Sequence, residues 1–142
     1  MKAKTAIISD VSFVEQFENQ TLDPKHFNHV GHLRLAWLYL LDDEVDLVIE
    51  KLSVCIKAYA ESLGAKQKFH LTITDAIVRL MAERIKRLER PSWSLFLQQN
   101  NDLVEHASAV IHQYYSESLL SSEAARLNVL QPDIKPIEDD GA

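Results

Sequence analysis

The sequence predicts an all-α fold, a single-domain bundle of five to six helices with an extended acidic C-terminal tail. Only three glycines and four prolines interrupt the 142 residues. Apolar residues recur mostly three and four positions apart, and the alternation typical of strands is absent over any useful length. This length suits one domain with a core of its own. We therefore expect a helical domain over residues 1–130 and an extended or disordered acidic tail over residues 131–142.

The first two helices are predicted from their start signals. Ser12 and Glu15 have the spacing of a capping box, which places the first helix after Asp10 or Ser12. The second helix is expected over residues 29–41, with Asn28 as its N-cap. It is apolar on almost every side, a composition that indicates a central, buried helix.

The third and fourth helices are the longest that the pattern predicts. An apolar stripe indicates a helix over residues 43–63, and Gly64 follows it at the position where helices end in a left-handed residue. A second stripe indicates a helix over residues 71–90, which Pro91 would end. Residues 72–75 match a capping box at its start.

The last third of the chain predicts shorter elements. A short helix is expected over Trp93–Gln99 with Ser92 as its cap, then a sixth helix over residues 102–115 and a helical turn over residues 122–127. The final twelve residues hold two prolines and four acids against one lysine. That composition is typical of an extended segment that is disordered at its end.

The charge balance argues against nucleic acid as a partner. Fifteen Lys and Arg stand against 21 Asp and Glu, a net charge of −6, and no basic run is present. General nucleic-acid binding depends on phosphate neutralisation by Lys and Arg. Cations near a helix C-terminus complement its dipole, which accounts for the one basic cluster, late in the fourth helix. Its members are Arg79, Arg84, Lys86, Arg87 and Arg90.

Cysteine usage and hydropathy predict a cytoplasmic location. Cys55 is the only cysteine, so no intrachain disulfide can form and a reducing compartment is expected. The apolar run near the N-terminus is too short for a signal-peptide core. No apolar stretch is long enough to span a bilayer, so no membrane partner is expected.

Three histidines form the one constellation that resembles a site rather than a core. His29 and His32 lie three positions apart on the second helix, so their imidazoles share a face. His70 lies at the start of the inward stripe of the fourth helix. Short connections make sequential helices antiparallel, so the second and fourth would run parallel and begin at the same end of the bundle. We therefore expect the three imidazoles to meet.

The leading hypothesis is a divalent metal site, which could make the protein a small metal-dependent enzyme. Neutral imidazoles with one carboxylate suit Zn, Fe, Mn or Ni. In an enzyme, such a metal would activate water or dioxygen, and the sequence does not choose between them. The predicted metal ligands are His29, His32, His70 and Glu18, with Glu15 or Asp75 as other carboxylates.

A metal-free module is the alternative. Helix N-termini bind anions readily, so the same pocket could hold a carboxylate or phosphate of a small molecule. The histidines would then recognise an anion, stabilise a partner interface or serve a structural role. A homodimer is one way to cover the apolar second helix. The further residues predicted for this ligand site are Arg34, Lys68, Thr72, Thr74 and Asp75.

Two segments resemble the signatures of a small, uncharacterised bacterial all-helical family. They are Phe-Asn-His-Val-Gly-His-Leu-Arg-Leu-Ala-Trp-Leu-Tyr at residues 27–39 and Lys-Phe-His-Leu-Thr-Ile-Thr at residues 68–74. Residues 120–126 and 131–136 are similar to the C-terminal segment of that family. The resemblance implies no chemistry of its own. The residues that it implies for the site are His29, His32, His70, Thr72 and Thr74.

Overall fold

The computed structural model describes residues 8–137, and over this range the chain is all-helical without a strand. The predicted fold class is confirmed. Two short 3-10 turns, Pro24–His26 and Lys66–Lys68, precede the second and fourth α-helices. The α-helices of the described range are α1 (Asp10–Glu18), α2 (His29–Leu40), α3 (Val45–Ser62), α4 (Leu71–Ile85), α5 (Trp93–Gln99), α6 (Asn101–Glu105), α7 (Ala107–Ile111), α8 (Glu117–Leu120) and α9 (Glu123–Leu127).

The core forms where α2, α3 and α4 pack against one another. The inner face of α2 is buried almost completely, as its apolar composition predicts, and Leu33 and Leu35 have no exposed surface. Phe13 and Phe17 of α1 and Phe96 of α5 are also fully buried. The short helices after α5 supply the remaining walls, and α9 packs on α4.

Several predicted helix boundaries are confirmed. Asn28 caps α2, because its side-chain oxygen accepts the Gly31 N–H at 2.9 Å. Ser92 caps α5 in the same way. Gly64 has a φ of 71°, the left-handed conformation that a glycine adopts at little cost after a helix.

The two predicted capping boxes are wrong by three residues and by two residues, respectively. Ser9, not Ser12, caps α1, and its hydroxyl accepts the N–H of Ser12 at 3.1 Å. His70 caps α4, and its Nδ1 accepts the Ile73 N–H at 3.1 Å. A cap acts on the residue three positions later, so Ser12 and Ile73 are the capped residues. The box predicted over residues 72–75 therefore starts inside the helix.

Two predicted helices are shorter than expected. Helix α4 ends at Ile85 rather than residue 90, and a tighter turn follows in which the Leu88 N–H donates to the Ile85 carbonyl. This turn lets Leu88 pack on the core. The helix predicted over residues 102–115 is broken at His106, whose φ of −139° and ψ of 45° separate α6 from α7.

The described part of the tail, residues 131–137, contains no helix and lies against the body. The Ile134 N–H donates to the Tyr114 carbonyl at 2.9 Å, and the Asp133 carboxylate accepts from the backbone and hydroxyl of Ser116. Ile137 is buried. The disorder expected at the end of the tail falls on residues 138–142, which lie outside the described residues. Residues 1–7 lie outside them as well. None of the described helices is long and apolar enough to cross a membrane.

Candidate ligand cavity

A cavity of about 410 Å³, called the ligand cavity below, lies among α2, α3, α4 and the turns that lead into α2 and α4. Its volume falls in the range of about 300–1,000 Å³ that is common for small-molecule sites. Its wall is mainly aliphatic and aromatic. The apolar side chains that line it are Phe27, Ala36, Leu52, Ile56, Tyr59, Ala60, Leu63, Ala65, Phe69, Ile73, Ile77 and Val78.

The predicted convergence of the three histidines is observed, because His29, His32 and His70 all line this cavity. Helical spacing explains the arrangement. His29 and His32 precede Ala36 on one face of α2, while His70 begins the face of α4 that continues through Ile77. Lys68 and Thr74, which the sequence predicts as ligand-binding residues, line the same cavity, and their binding role stays a prediction.

His70 is a structural residue with both ring nitrogens engaged. Its Nδ1 accepts the Ile73 N–H, and its Nε2 donates to the Leu120 carbonyl at 2.8 Å. Leu120 is the last residue of α8, where helical carbonyls lack a partner within the helix. His70 therefore bonds one backbone N–H at the start of α4 and one backbone carbonyl at the end of α8, and neither of its nitrogens is left for a metal.

His29 has one engaged ring nitrogen. Its Nε2 donates to the carbonyl of Leu103 in α6 at 2.8 Å. A nitrogen that donates to a carbonyl carries the hydrogen, so Nδ1 is the nitrogen that can accept or ligate. The ring is thus held at the cavity wall by a residue 74 positions later in the chain.

His32 differs from both, because its ring makes no hydrogen bond within residues 8–137. It packs on Phe27, with ring centroids 4.1 Å apart. Burial, with a smaller contribution from His29, lowers the pKa of His32 to about 4. The imidazole is therefore neutral at pH 7, and it offers the cavity one N–H donor and one lone pair.

The predicted metal set does not assemble. Among the described residues, no group of three or more His, Cys, Asp or Glu side chains could hold a metal ion. His70 is fully engaged, and Glu18 accepts a hydrogen bond from Tyr39 in a different surface depression. Glu15 lines that same depression. The sequence-based hypothesis of a three-histidine, one-carboxylate site therefore does not fit these residues.

Arg34 also lies away from the ligand cavity. Its guanidinium pairs with Asp10 at 2.7 Å, donates to the Ile8 carbonyl and lies over the ring of Phe13. These contacts fasten α1 to α2. Arg34 is therefore a structural residue, although the sequence predicts it as part of the ligand site.

Asp75 lines a second cavity of about 220 Å³, called the C-terminal cavity below, which residues 129–132, 136 and 137 help to line. The Thr72 hydroxyl donates to the Asn128 carbonyl at 2.5 Å and accepts the Leu130 N–H at 3.1 Å, so its place is beside the cavity wall. Asp75 is buried and pairs with Arg79, which also reaches Asp46. Thr72 therefore holds the C-terminal segment to α4, and Asp75 neutralises the charge of Arg79.

Sequence reasoning missed the aromatic part of the wall. Phe27 packs against Phe17 and Tyr59, each with a centroid separation of 5.1 Å, and the Tyr59 hydroxyl donates to the Leu22 carbonyl. Gly31 was the signal in the sequence that could have indicated this packing. A glycine inside a helix costs about 1 kcal/mol relative to alanine, so its presence there calls for a structural reason. A Cβ on Gly31 would overlap the His26 carbonyl oxygen. The glycine lets the turn that carries Phe27 approach α2.

Comparison with protein-family models, with curated proteins and with solved structures found no match to this chain. The resemblance to a small bacterial helical family accordingly stays a prediction.

Proposed function

We propose that this protein binds a small, largely apolar molecule in the ligand cavity and that His32 is its main hydrogen-bonding partner. The observation that carries the proposal is the neutral imidazole of His32, without a hydrogen bond in the described chain, on a mainly apolar wall. Within the described residues, the buried side-chain polar atom without a partner is the Ser53 hydroxyl oxygen, so the His32 nitrogens reach the cavity space, where a partner can approach them. A ligand with a hydroxyl, carbonyl or carboxyl group would supply that partner, for a net gain of about 0.5–1.5 kcal/mol.

The enclosing side chains support a molecule with an apolar body. Aliphatic side chains of α3 and α4 line the cavity together with the aromatic rings of Phe27, Tyr59 and Phe69. Burial of a hydrocarbon tail there would contribute about 25 cal/mol for each Å² of apolar surface removed from water. A few polar groups on such a wall are the usual means of fixing a ligand's orientation.

A divalent metal is the second candidate, and one observation favours it. Metal-ligating histidines usually donate their other ring N–H to a carbonyl or carboxylate, which is how His29 is held by Leu103. Nδ1 of His29 and the ring of His32 would supply two ligands, and the others would come from water or from the bound molecule. A metal-dependent reaction belongs to this candidate only.

The proposal also includes expectations about nucleic acid, cellular location and oligomeric state. Within the described residues, Arg79, Arg84 and Lys86 each pair with an acidic side chain, which supports a structural role for the basic cluster over nucleic-acid binding. The dipole explanation fits Arg84, which lies in the last turn of α4, and does not fit Arg79 inside the helix or Arg87 and Arg90 after its end at Ile85. A cytoplasmic location and a homodimer that covers exposed apolar residues of α2 such as Val30 remain predictions.

The test uses 1-octanol as the probe, titrated into protein with labelled isoleucine methyl groups in the presence of EDTA. We expect saturable NMR shifts at Ile56, Ile73 and Ile77, which line the cavity, and none at Ile111, which does not. His32→Leu should weaken binding about three- to tenfold, the worth of one hydrogen bond. The same replacement at exposed His106 is the matched control and should change nothing.

The outcomes separate the two candidates. Absence of saturable shifts at the lining methyl groups, with the fold intact by circular dichroism, would refute the binding proposal. Binding that EDTA abolishes and Zn²⁺ restores would favour the metal candidate. In that case Zn²⁺ alone should shift the ring resonances of His29 and His32 and leave those of His70 unchanged.

A further inference from the structure

We infer that the ligand is an amphipathic carboxylate, whose apolar tail packs between α3 and α4 and whose carboxylate contacts Lys68 and His32. This inference rests on the proposed function and names its ligand class. It follows from the charge on the cavity wall, from the position of the one lysine there, and from the donor that His32 presents.

The ligand cavity is electrostatically unlike the rest of the protein. The chain has 21 acidic residues and a net charge of −6. Among the described residues, however, no Asp or Glu lines this cavity, while Lys68 does. Helices α2 and α4 both begin there, and the positive ends of their dipoles add to the same potential. The wall therefore disfavours a cationic ligand and favours an anionic one.

Lys68 lies where a carboxylate could remain partly hydrated. Its side chain lines the cavity although the residue is exposed, so it stands at the boundary between the cavity and solvent. Within residues 8–137 it has no acidic partner within ion-pair distance. A carboxylate at this boundary would keep part of its hydration, which avoids most of the cost of burying a charge.

His32 supplies the second donor. No protein group in the described range fixes its tautomer, so the ring can present an N–H to a carboxylate oxygen. Among the described residues, the wall carries no lysine or arginine besides Lys68, and its other polar side chains are those of His29, Tyr59, His70 and Thr74. The Tyr59 hydroxyl already donates to the Leu22 carbonyl at 2.9 Å. The hydroxyl of Thr74 already donates to the His70 carbonyl at 2.9 Å. The apolar part of the wall is thus left to an apolar tail.

The test compares three probes with one tail, namely octanoate, 1-octanol and octylammonium, below the concentrations at which they form micelles. Methyl NMR titrations at pH 7 and low salt should give affinities in that order. Attraction and repulsion at a solvent-exposed charge are modest, so we expect octanoate to bind about five- to tenfold more tightly than octylammonium. In 0.5 M NaCl this ratio should shrink, because exposed charges are screened.

Lys68→Gln should reduce the octanoate to octylammonium ratio to within about twofold and leave the affinity for 1-octanol unchanged. Lys66→Gln is the matched control, since Lys66 belongs to the same turn but does not line the ligand cavity. It should keep the ratio of the parent protein.

Failure of this inference is distinguishable from failure of the proposed function. Equal affinities for the three probes in the parent protein would overturn the carboxylate inference while cavity binding stands. An equal loss in Lys66→Gln and Lys68→Gln would overturn the role of Lys68. No shift at the lining methyl groups with any probe would overturn both proposals.

Discussion

The ligand cavity and the C-terminal cavity are lined by different residues of α4, and one polar side chain of the ligand cavity distinguishes the two. In the C-terminal cavity Asp75 pairs with Arg79, and beside it Thr72 bonds twice to residues 128–130. In the ligand cavity the ring of His32 has no hydrogen-bonding partner in the described chain. The polar groups that α4 presents to the ligand cavity, His70 and Thr74, are also bonded within the protein. The comparison therefore singles out His32 of α2 as the polar side chain whose partner the described chain does not supply.

Removal of the buried carboxylate should give the largest effect. Asp75→Ala would leave Arg79 partly buried with less compensation, and we expect a loss of roughly 3–4 kcal/mol in unfolding free energy. Urea denaturation measures this. Asp46→Ala, at an exposed partner of the same arginine, is the control and should cost less than about 1 kcal/mol. Similar losses in the two variants would contradict the view that burial of Asp75 sets the cost.

The pH dependence of stability should report His32. Its pKa in the fold is about 4, below the ordinary value of about 6.5. Between these values the unfolded chain binds a proton that the folded chain does not, so stability falls as the pH drops from about 6.5 to 4. The loss should total about 3 kcal/mol, and it should be absent in His32→Leu. A midpoint near 6.5 in the NMR titration of the His32 ring proton would contradict this prediction.

Valine substitutions at the two threonines of α4 should give the smallest losses in unfolding free energy, and the two losses should differ clearly. Thr72→Val removes a hydroxyl that makes two long-range hydrogen bonds, so it should cost about 2 kcal/mol. Thr74→Val removes only a bond to the carbonyl one turn earlier in the same helix and should cost less than about 0.5 kcal/mol. Thermal unfolding of both variants measures the difference. Equal costs would mean that the C-terminal segment contributes little to stability.

Angular position on a helix predicts which residues line the ligand cavity better than the full set of predicted site residues does. At about 100° per residue, Thr74 lies about 40° from His70, whereas Thr72 and Asp75 lie about 160° and 140° away. The same rule places Arg34 about 160° from His32 on α2. The structure follows these angles, since Thr74 lines the ligand cavity while Thr72, Asp75 and Arg34 make contacts elsewhere.

Other features were beyond local reasoning. Spacing brings His29, His32 and His70 together, but it does not reveal which of their nitrogens are already bonded. The partners of His29 and His70 are carbonyls 74 and 50 positions later in the chain. Those carbonyls are accessible because the last third forms short helices, and the sequence predicted one long helix over part of that region. A local pattern gives the face of a helix, and long-range packing decides whether a polar group on that face is engaged.

The dependence of two cavity histidines on distant carbonyls has a consequence for the newly made chain. Leu103 and Leu120 are synthesised long after α2 and α4, so these imidazoles have no acceptor while the first four helices emerge from the ribosome. Contacts between distant positions form only after the intervening loop closes. The first half of the chain can therefore collapse early, but we expect the rings of His29 and His70 to take up their fixed positions only after Leu120 has been translated. Ligand capture would then be a late event in biogenesis, reserved for chains that have already folded their C-terminal third.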